Sequence, residues 1–319
     1  MQSRPLIEGR KLPLLIEPRG ERDADFEALL SWLGEARTWI EAKLYVHGAL
    51  LLRGFALQTA EDFRRACCAL GPELKPYVGG DSPRRALLDG VYDSTEFPAQ
   101  LQIELHNELS YGACWPSRIY FFCRRPAREG GETPIADSRE ILRRLDPAIA
   151  RRFAERGVRY SQNLRDRERP GAGKSWQDTF ETDERATVEA HCRKAGMDWR
   201  WTERGLSTSV VRPGVLRHPA TGEAVWFNQA DQWHAALAGV KHPDASPRAL
   251  DEAALPCHAS FGDGGAIDPA ELMAVRRVYA ECEVVFTWRR GDLLVLDNVL
   301  SAHGRKPFKG AREILVAMA

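Results

Sequence analysis

The sequence carries no net charge, because 45 lysines and arginines balance 45 aspartates and glutamates among its 319 residues. A chain without net charge has no overall field that would attract nucleic acid or an anionic membrane surface. It also lacks a run of about 18 apolar residues, the length that a membrane-spanning helix needs. Its first residues, Met-Gln-Ser-Arg-Pro-Leu, lack the apolar core of a signal peptide. These absences predict a protein that binds neither nucleic acid nor membrane.

Cysteine pairs at metal or redox spacing are also missing. The seven cysteines are an odd number, and no Cys-x-x-Cys occurs, which predicts reduced thiols in the cytoplasm. No internal repeat, low-complexity tract or linker divides the chain. Hydrophobic residues make up 44% of it, enough for a full core. We therefore expect a single domain over residues 1–319.

Apolar periodicity predicts the secondary structure. The predicted helices cover 23–44, 59–70, 138–156 with a break at Pro147, 183–196 and 268–282. The predicted strands cover 49–55, 101–111, 119–123, 133–136, 284–288, 293–297 and 314–318, and strands and turns are predicted around 207–211, 218–222 and 224–228. Strands in both halves of the chain, with helices before and between them, predict a mainly β protein with flanking helices (α+β) and a β-barrel-like core.

The most informative segment is 101–111, Leu-Gln-Ile-Glu-Leu-His-Asn-Glu-Leu-Ser-Tyr, in which apolar and polar residues alternate. This period of two predicts a strand that carries His106 and Glu108 on one polar face. On a helix of about 3.6 residues per turn, the two side chains would diverge by roughly 200°. An imidazole and a carboxylate on one face supply two ligands of a 2-His-1-carboxylate iron site. Glu104 shares that face and is a rival carboxylate.

A third ligand is expected from the C-terminal segment. His303 follows a predicted buried strand and precedes Gly304, which predicts a position at the mouth of a loop. Arg312 comes nine residues after His303. We expect it to open the last strand and to project into the same cavity.

Three blocks of the chain resemble the taurine dioxygenase/clavaminate synthase-like superfamily of Fe(II)- and 2-oxoglutarate-dependent oxygenases. They are Leu105-His-Asn-Glu-Leu-Ser-Tyr111, Gly130-Gly-Glu-Thr-Pro-Ile-Ala-Asp-Ser138 and His303-Gly-Arg followed by Arg312-Glu-Ile-Leu-Val316. Within the superfamily they are most similar to the amino-acid hydroxylases of nonribosomal peptide pathways, such as the syringomycin-type aspartyl hydroxylase. The resemblance covers roughly residues 45–319 and is weak across 160–260.

The resemblance implies a double-stranded β-helix (jelly-roll) core and a role for each block. His106, Glu108 and His303 would hold Fe(II), leaving three positions for 2-oxoglutarate and O₂. The pattern places the acid after the histidine, which favours Glu108 over Glu104. Arg312 and Thr133 would hold the far carboxylate of 2-oxoglutarate, and an arginine suits it because guanidinium is permanently charged and bidentate.

The resemblance also suggests the reaction. Halogenases of the superfamily lack the acidic ligand, so Glu108 favours hydroxylation of an unactivated C–H bond, while desaturation and ring closure stay open. The expected substrate is a polar amino acid, free or tethered to a peptidyl carrier protein in a secondary-metabolite pathway. Gln102, Asn228 and Arg305 are candidate substrate contacts. For Gln102 and Asn228 the alternative is ordinary structural hydrogen bonding, and Arg305 is either a second anion contact or a surface residue. Residues 160–260 are expected to form a lid over the active site, because long irregular segments near active sites are often functional.

Two other classes of function stay open. Two histidines and a glutamate also suit a zinc hydrolase, although zinc would need neither Arg312 nor Thr133. A non-catalytic barrel that binds a metal or a small acid is the second alternative. Succinate formation that depends on Fe(II) would exclude both. The sequence does not determine the oligomeric state.

Overall fold

The computed structural model describes residues 1–71, 73–75, 85–94, 97–169, 174–237 and 255–319. In these ranges the helices are α1 (Glu21–Ala24), α2 (Phe26–Glu35), α3 (Arg37–His47), α4 (Ala60–Leu70), α5 (Ser138–Arg144), α6 (Pro147–Arg156), α7 (Trp176–Phe180), α8 (Arg185–Ala195), α9 (Ala230–Trp233) and α10 (Pro269–Cys282). The strands are β1 (Gln2–Pro5), β2 (Leu14–Glu17), β3 (Ala49–Leu52), β4 (Ala86–Leu88), β5 (Val91–Asp93), β6 (Ile103–His106), β7 (Arg118–Arg125), β8 (Glu129–Gly130), β9 (Ile135–Asp137), β10 (Val158–Arg165), β11 (Asp198–Thr202), β12 (Gly205–Arg212), β13 (Val215–Arg217), β14 (Ala224–Trp226), β15 (Cys257–Phe261), β16 (Leu293–Asp297), β17 (Ser301–Arg305), β18 (Phe308–Lys309) and β19 (Glu313–Met318). The protein is thus a mixed α+β structure rich in strands.

Six of the described helices, α2, α4, α5, α6, α7 and α10, begin where a side chain accepts a hydrogen bond from a first-turn N–H group. Thr59 and Asp62 form the predicted capping box at the start of α4. Asp268 caps α10 ahead of Pro269, also as predicted. The predicted break at Pro147 is confirmed, because α5 ends at Arg144 and Pro147 is the first residue of α6.

The largest sheet has eight strands in the order β1-β2-β3-β16-β7-β19-β5-β4. Its central strands are continuous apolar runs because both of their faces are buried. One face packs on helices α2, α3 and α4 through residues such as Leu50, Phe122 and Val295. The other face carries Phe121 and Leu294, among others, and contributes to a second cluster.

A three-stranded sheet, β6-β17-β9, packs against that second face. Ile135 of β9 joins the cluster of the large sheet, whereas its neighbour Ala136 joins a third cluster with α5, α6 and α10. Ala302 of β17 also lies in this third cluster. Because successive side chains of a strand point to opposite faces, His303 faces the large sheet. Its ring lies 5.2 Å from that of Phe121, centroid to centroid.

The stretch 160–260 contributes the four-stranded sheet β11-β12-β10-β15 and the hairpin β13-β14. The predicted helix 183–196 is confirmed as α8. Among the strands and turns predicted around 207–211, 218–222 and 224–228, residues 218–222 form the turn between β13 and β14. The ring nitrogen Nδ1 of His218 accepts from the backbone N–H of Ala220 and Thr221, so this side chain stabilises a local turn instead of a strand.

The predicted strand 284–288 is wrong. Val284, Phe286 and Trp288 are buried as the alternation predicts. Within the described ranges, however, this extended segment pairs only at Val284, through a single bridge to Ile135. Among the described helices, none is long and apolar enough to cross a membrane.

Candidate metal centre and co-substrate site

The strand that carries His106 is shorter than the alternation predicts. β6 ends at His106, and the chain then turns, with Ser110 N donating to Asn107 O and Gly112 N donating to Leu109 O. Leu109 has a φ of 55°, which no strand residue adopts. The predicted strand over 101–111 is therefore wrong outside 103–106, and Glu108 lies in a turn.

Two imidazoles face each other across β6 and β17. His106 and His303 are directly paired in the antiparallel register, and their ring centroids lie 4.5 Å apart. His303 follows the buried strand β16, as predicted, but it lies inside β17, so the predicted position at a loop mouth is wrong. Gly304 permits this close pairing, because a Cβ there would lie 2.6 Å from the Ile103 carbonyl oxygen.

The Glu108 carboxylate completes a compact group with the two imidazoles. Its Oε2 lies 3.7 Å from His303 Nε2 and 4.0 Å from His106 Nε2. One ligand atom from each of the three residues lies within 4.8 Å of the others. Glu108 and His303 are buried. Two imidazoles and one carboxylate on one side of an ion are the donor set that non-haem Fe(II) takes.

The protonation of His106 also suits a metal. Its Nδ1 lies 2.8 Å from the Glu104 carbonyl oxygen, which can only accept a hydrogen bond. Nδ1 therefore carries the proton, and the acceptor lone pair is on Nε2, the atom that faces Glu108. A backbone carbonyl that selects the tautomer in this way is common behind metal-bound histidines.

Glu104, the rival carboxylate, does not belong to this group. Its side chain accepts a hydrogen bond of 2.9 Å from Gln102 Nε2. Both residues line a small polar cavity together with Asp231, Arg276 and Lys306.

Three amide side chains that the sequence did not single out hold the backbone of this segment. Gln232 Nε2 donates to Leu105 O at 3.1 Å, and Gln229 Nε2 donates to Asn107 O at 2.9 Å. Asn298 contacts both the N–H and the C=O of Glu108. One feature of the sequence could have identified these three residues, because each is an amide residue next to apolar residues. Asn298 follows the buried strand 293–297, and Gln229 and Gln232 lie between Phe227 and Trp233.

Arg312 was expected to be the first residue of the last strand. It lies one residue earlier, directly before β19. Its Nε donates to Gly131 O at 2.9 Å and its Nη1 to Ser94 Oγ at 3.2 Å. No carboxylate among the described residues pairs with it. Burial, with a smaller effect of the nearby Arg305 guanidinium, lowers the pKa of Arg312 to about 10. A desolvated cation without a carboxylate is costly, so this arrangement suits a bound anion.

The Gly130-Gly131 turn makes room for that guanidinium. Gly131 has a φ of 74°, and a Cβ at this position would lie 3.0 Å from Arg312 Cδ. Two residues later, Thr133 Oγ1 accepts a hydrogen bond of 3.1 Å from Trp288 Nε1. The Thr133 hydroxyl can therefore still donate its proton.

The candidate substrate contacts each bond within the protein. Asn228 donates to Gly214 O at 2.8 Å and accepts from Ala230 N at 3.1 Å. Arg305 donates to three carbonyl oxygens, those of Phe97, Pro98 and Leu101. It is 4% exposed, so the alternative of a surface residue is wrong. Burial lowers the pKa of Arg305 to about 10.

The chain is similar to known proteins over nearly its whole length. A family model described as taurine catabolism dioxygenase TauD, TfdA family matches residues 8–318. The dapdiamide synthesis protein DdaC of Enterobacter agglomerans is 35% identical over 280 residues, covering 88% of this chain and 84% of DdaC. A clavaminate synthase-like protein of Arabidopsis thaliana is 31% identical over 289 residues, again covering 88% of this chain and 84% of the relative.

Solved structures share the fold. PvcB of Pseudomonas aeruginosa, described as an Fe, alpha-ketoglutarate dependent oxygenase from an isonitrile synthetic pathway, aligns with a TM-score of 0.57 at 20% identity, covering 99% of this chain and 90% of PvcB. A taurine dioxygenase from Burkholderia xenovorans aligns with a TM-score of 0.54 at 16% identity, covering 99% of this chain and 89% of the other.

Proposed function

Because the chain belongs to the TauD/TfdA family of dioxygenases, we propose that His106, Glu108 and His303 bind its iron, while Arg312 and Thr133 hold 2-oxoglutarate. The protein is an Fe(II)- and 2-oxoglutarate-dependent dioxygenase, and its cofactors and co-substrates are Fe(II), 2-oxoglutarate and O₂. Membership in this family excludes the two alternatives, a zinc hydrolase and a non-catalytic barrel that binds a metal or a small acid. We also propose a double-stranded β-helix core, which the position of the site between two packed sheets supports.

The observation that carries the metal assignment is the convergence of three ligand atoms on one point from β6, the turn after it and β17. Bound iron would supply the activation of O₂ that accompanies oxidative decarboxylation of 2-oxoglutarate to succinate and CO₂. His106, Glu108 and His303 would hold the ion, and as a 2-His-1-carboxylate set they would leave positions on it for 2-oxoglutarate and O₂. A carboxylate at Glu108 leaves no place for a halide ligand and so supports hydroxylation, with desaturation or ring closure as the second candidate.

Arg312 would orient the co-substrate. Its guanidinium is held at Nε and Nη1 by Gly131 O and Ser94 Oγ, and it lacks a carboxylate partner in the described part of the chain. The far carboxylate of 2-oxoglutarate would supply that partner through charge-assisted hydrogen bonds. The Thr133 hydroxyl, positioned by Trp288, would donate one more hydrogen bond to the same carboxylate.

The substrate we propose is a polar amino acid, free or carried by a peptidyl carrier protein. The similarity to DdaC, a dapdiamide synthesis protein, supports a role in secondary metabolism. Gln102, Asn228 and Arg305 stay predictions as substrate contacts. Seven free cysteines support a reducing compartment such as the cytoplasm.

We propose that 160–260 belongs to the same single domain and covers the active site. Gln229 and Gln232, both from this stretch, hydrogen-bond to the backbone beside His106 and Glu108, which supports its position over the iron ligands. Residues 170–173 and 238–254 of the stretch lie outside the described residues.

Succinate release tests this function. Purified protein with Fe(II), 2-oxoglutarate and O₂ is offered free polar amino acids and their carrier-bound forms, and succinate and oxidised product are quantified. We expect succinate to rise with one substrate class and to disappear in the His106→Ala variant. A product that forms without 2-oxoglutarate would contradict the proposal, as would a chlorinated product in the presence of chloride.

A further inference from the structure

The turn that carries Glu108 is held by one side chain from a distant part of the chain. Asn298 Oδ1 accepts a hydrogen bond of 2.7 Å from Glu108 N, and its Nδ2 donates to Glu108 O at 3.0 Å. Nδ2 also donates to Pro116 O at 2.9 Å. Asn298 is fully buried. An amide that accepts from and donates to the same residue restrains both the position and the orientation of that residue.

The restrained backbone is in an unfavourable conformation. Leu109, directly after Glu108, has a φ of 55°. For a residue with a Cβ, such a left-handed conformation costs on the order of 1–3 kcal/mol and persists only where the surroundings impose it. The turn begins directly after β6, so Glu108 lies on a bend, with its carboxylate 3.7 Å from His303 Nε2 and 4.0 Å from His106 Nε2, instead of along a strand.

The backbone of Asn298 is held in place by hydrogen bonds other than those between its side chain and Glu108. The carboxylate of Asp297 accepts from Val299 N and Leu300 N, each at 3.0 Å, which closes the turn after β16. The backbone N–H of Asn298 donates to Ser117 O at 3.0 Å. Its carbonyl accepts a hydrogen bond of 2.6 Å from Asn107 Nδ2. These bonds fix the backbone from which the Asn298 side chain reaches the Glu108 turn.

Loss of the amide would remove two hydrogen bonds from the Glu108 backbone. Glu108 N and Glu108 O would both lose the side chain that satisfies them, in a buried site. A buried donor or acceptor without a partner costs about 1–3 kcal/mol. The turn would then relax toward an ordinary conformation, and the carboxylate would leave the two imidazoles.

We propose that Asn298 is a positioning residue for the carboxylate ligand of the iron. It stabilises the left-handed turn at Leu109 and so keeps Glu108 facing His106 and His303. It acts on the metal only through the Glu108 backbone. The inference rests on the proposed function, since it requires Glu108 to be an iron ligand.

The test measures Fe(II) affinity by anaerobic titration of the metal-free, full-length protein. Residues that orient metal ligands typically change metal affinity by about 10–100-fold, and we expect Asn298→Ala to weaken Fe(II) binding within that range. We expect Leu109→Gly, introduced into Asn298→Ala, to restore part of the affinity, because glycine adopts positive φ without a Cβ clash. The absorption spectrum of the Co(II)-loaded protein should change in the single variant and return toward wild type in the double variant.

A matched control separates positioning from general stability. Asn163→Ala also removes a hydrogen bond from a side-chain amide to the backbone: Asn163 Nδ2 of β10 donates to Leu255 O, in the segment before β15, at 2.8 Å. It should lower the melting temperature of the metal-free protein but leave Fe(II) affinity unchanged. Should Asn298→Ala fail to fold, Asn298→Ser keeps one polar group without the amide fork and takes its place in the titration.

The outcomes distinguish this inference from the proposed function. Unchanged Fe(II) affinity in the Asn298 variant would overturn the positioning role, as would a loss that Leu109→Gly does not reduce or that Asn163→Ala matches. If the wild type itself does not bind Fe(II), or if His106→Ala binds it equally well, the metal assignment fails instead.

Discussion

Replacement of Arg312 by leucine should separate co-substrate binding from metal binding. The guanidinium has no carboxylate partner in the described residues, and it donates only to Gly131 O and Ser94 Oγ. Removing one partner of a buried, hydrogen-bonded charge pair costs about 2–5 kcal/mol. Arg312 keeps some solvent contact, so we take about 2–4 kcal/mol, which corresponds to a rise of about 30-fold to 1,000-fold in the Kd of 2-oxoglutarate.

The assay is isothermal titration of 2-oxoglutarate into protein loaded with Fe(II) under anaerobic conditions. Arg312→Leu should retain Fe(II) affinity, because Arg312 is not among the three ligand residues. Arg212→Leu is the matched control, because Arg212 is also a partly buried guanidinium that donates to backbone carbonyls, those of Gly112 and Ala195. A Kd of 2-oxoglutarate that is unchanged in Arg312→Leu, or equally raised in Arg212→Leu, would refute the assignment.

The pH dependence of 2-oxoglutarate binding in Arg312→Leu follows from the direction in which the pKa of Arg312 is shifted. Burial lowers the pKa of Arg312 to about 10, still above neutral pH. The guanidinium therefore stays charged near neutral pH, so the ratio of the two Kd values, variant to wild type, should be constant there. Because burial shifts the pKa of Arg312 downward, any change in this ratio is expected on the alkaline side of neutral pH and not on the acidic side.

Three further changes test the iron site and its support. His106→Ala should abolish Fe(II) binding and succinate formation while the protein stays folded, measured by metal titration and circular dichroism; retained turnover would remove His106 from the ligand set. Gly304→Ala places a Cβ 2.6 Å from Ile103 O, so it should push β17 away from β6. The free energy of Fe(II) binding should then fall by more than the free energy of unfolding; normal Fe(II) affinity would contradict this. Asp292→Ala removes the carboxylate that pairs with the buried Arg53 guanidinium at 2.7 Å. It should lower the free energy of unfolding, measured by chemical denaturation, by about 3–5 kcal/mol; a loss typical of a surface ion pair would show that Arg53 becomes solvated instead.

The sequence alone identified the residues of the proposed iron and 2-oxoglutarate site. His106, Glu108 and His303 were identified by residue type and order, and Arg312 by its place nine residues after His303. Helix starts at Thr59 and Asp268 were also predictable, because a capping side chain acts on N–H groups only a few residues away. Such local interactions depend little on the rest of the fold.

Tertiary structure decided how those residues meet. Alternation placed Glu108 on a strand, but a distant amide, Asn298, satisfies its backbone in a turn instead. His303 lies within a strand because Gly304 lets β17 approach β6, a contact between segments about two hundred residues apart. Periodicity reports which face of a segment is buried, but it contains no information about the partner that satisfies each buried N–H and C=O. The partner of each such group is determined only when the sheets pack. For Glu108 that partner is Asn298, which sets the geometry of the proposed iron site.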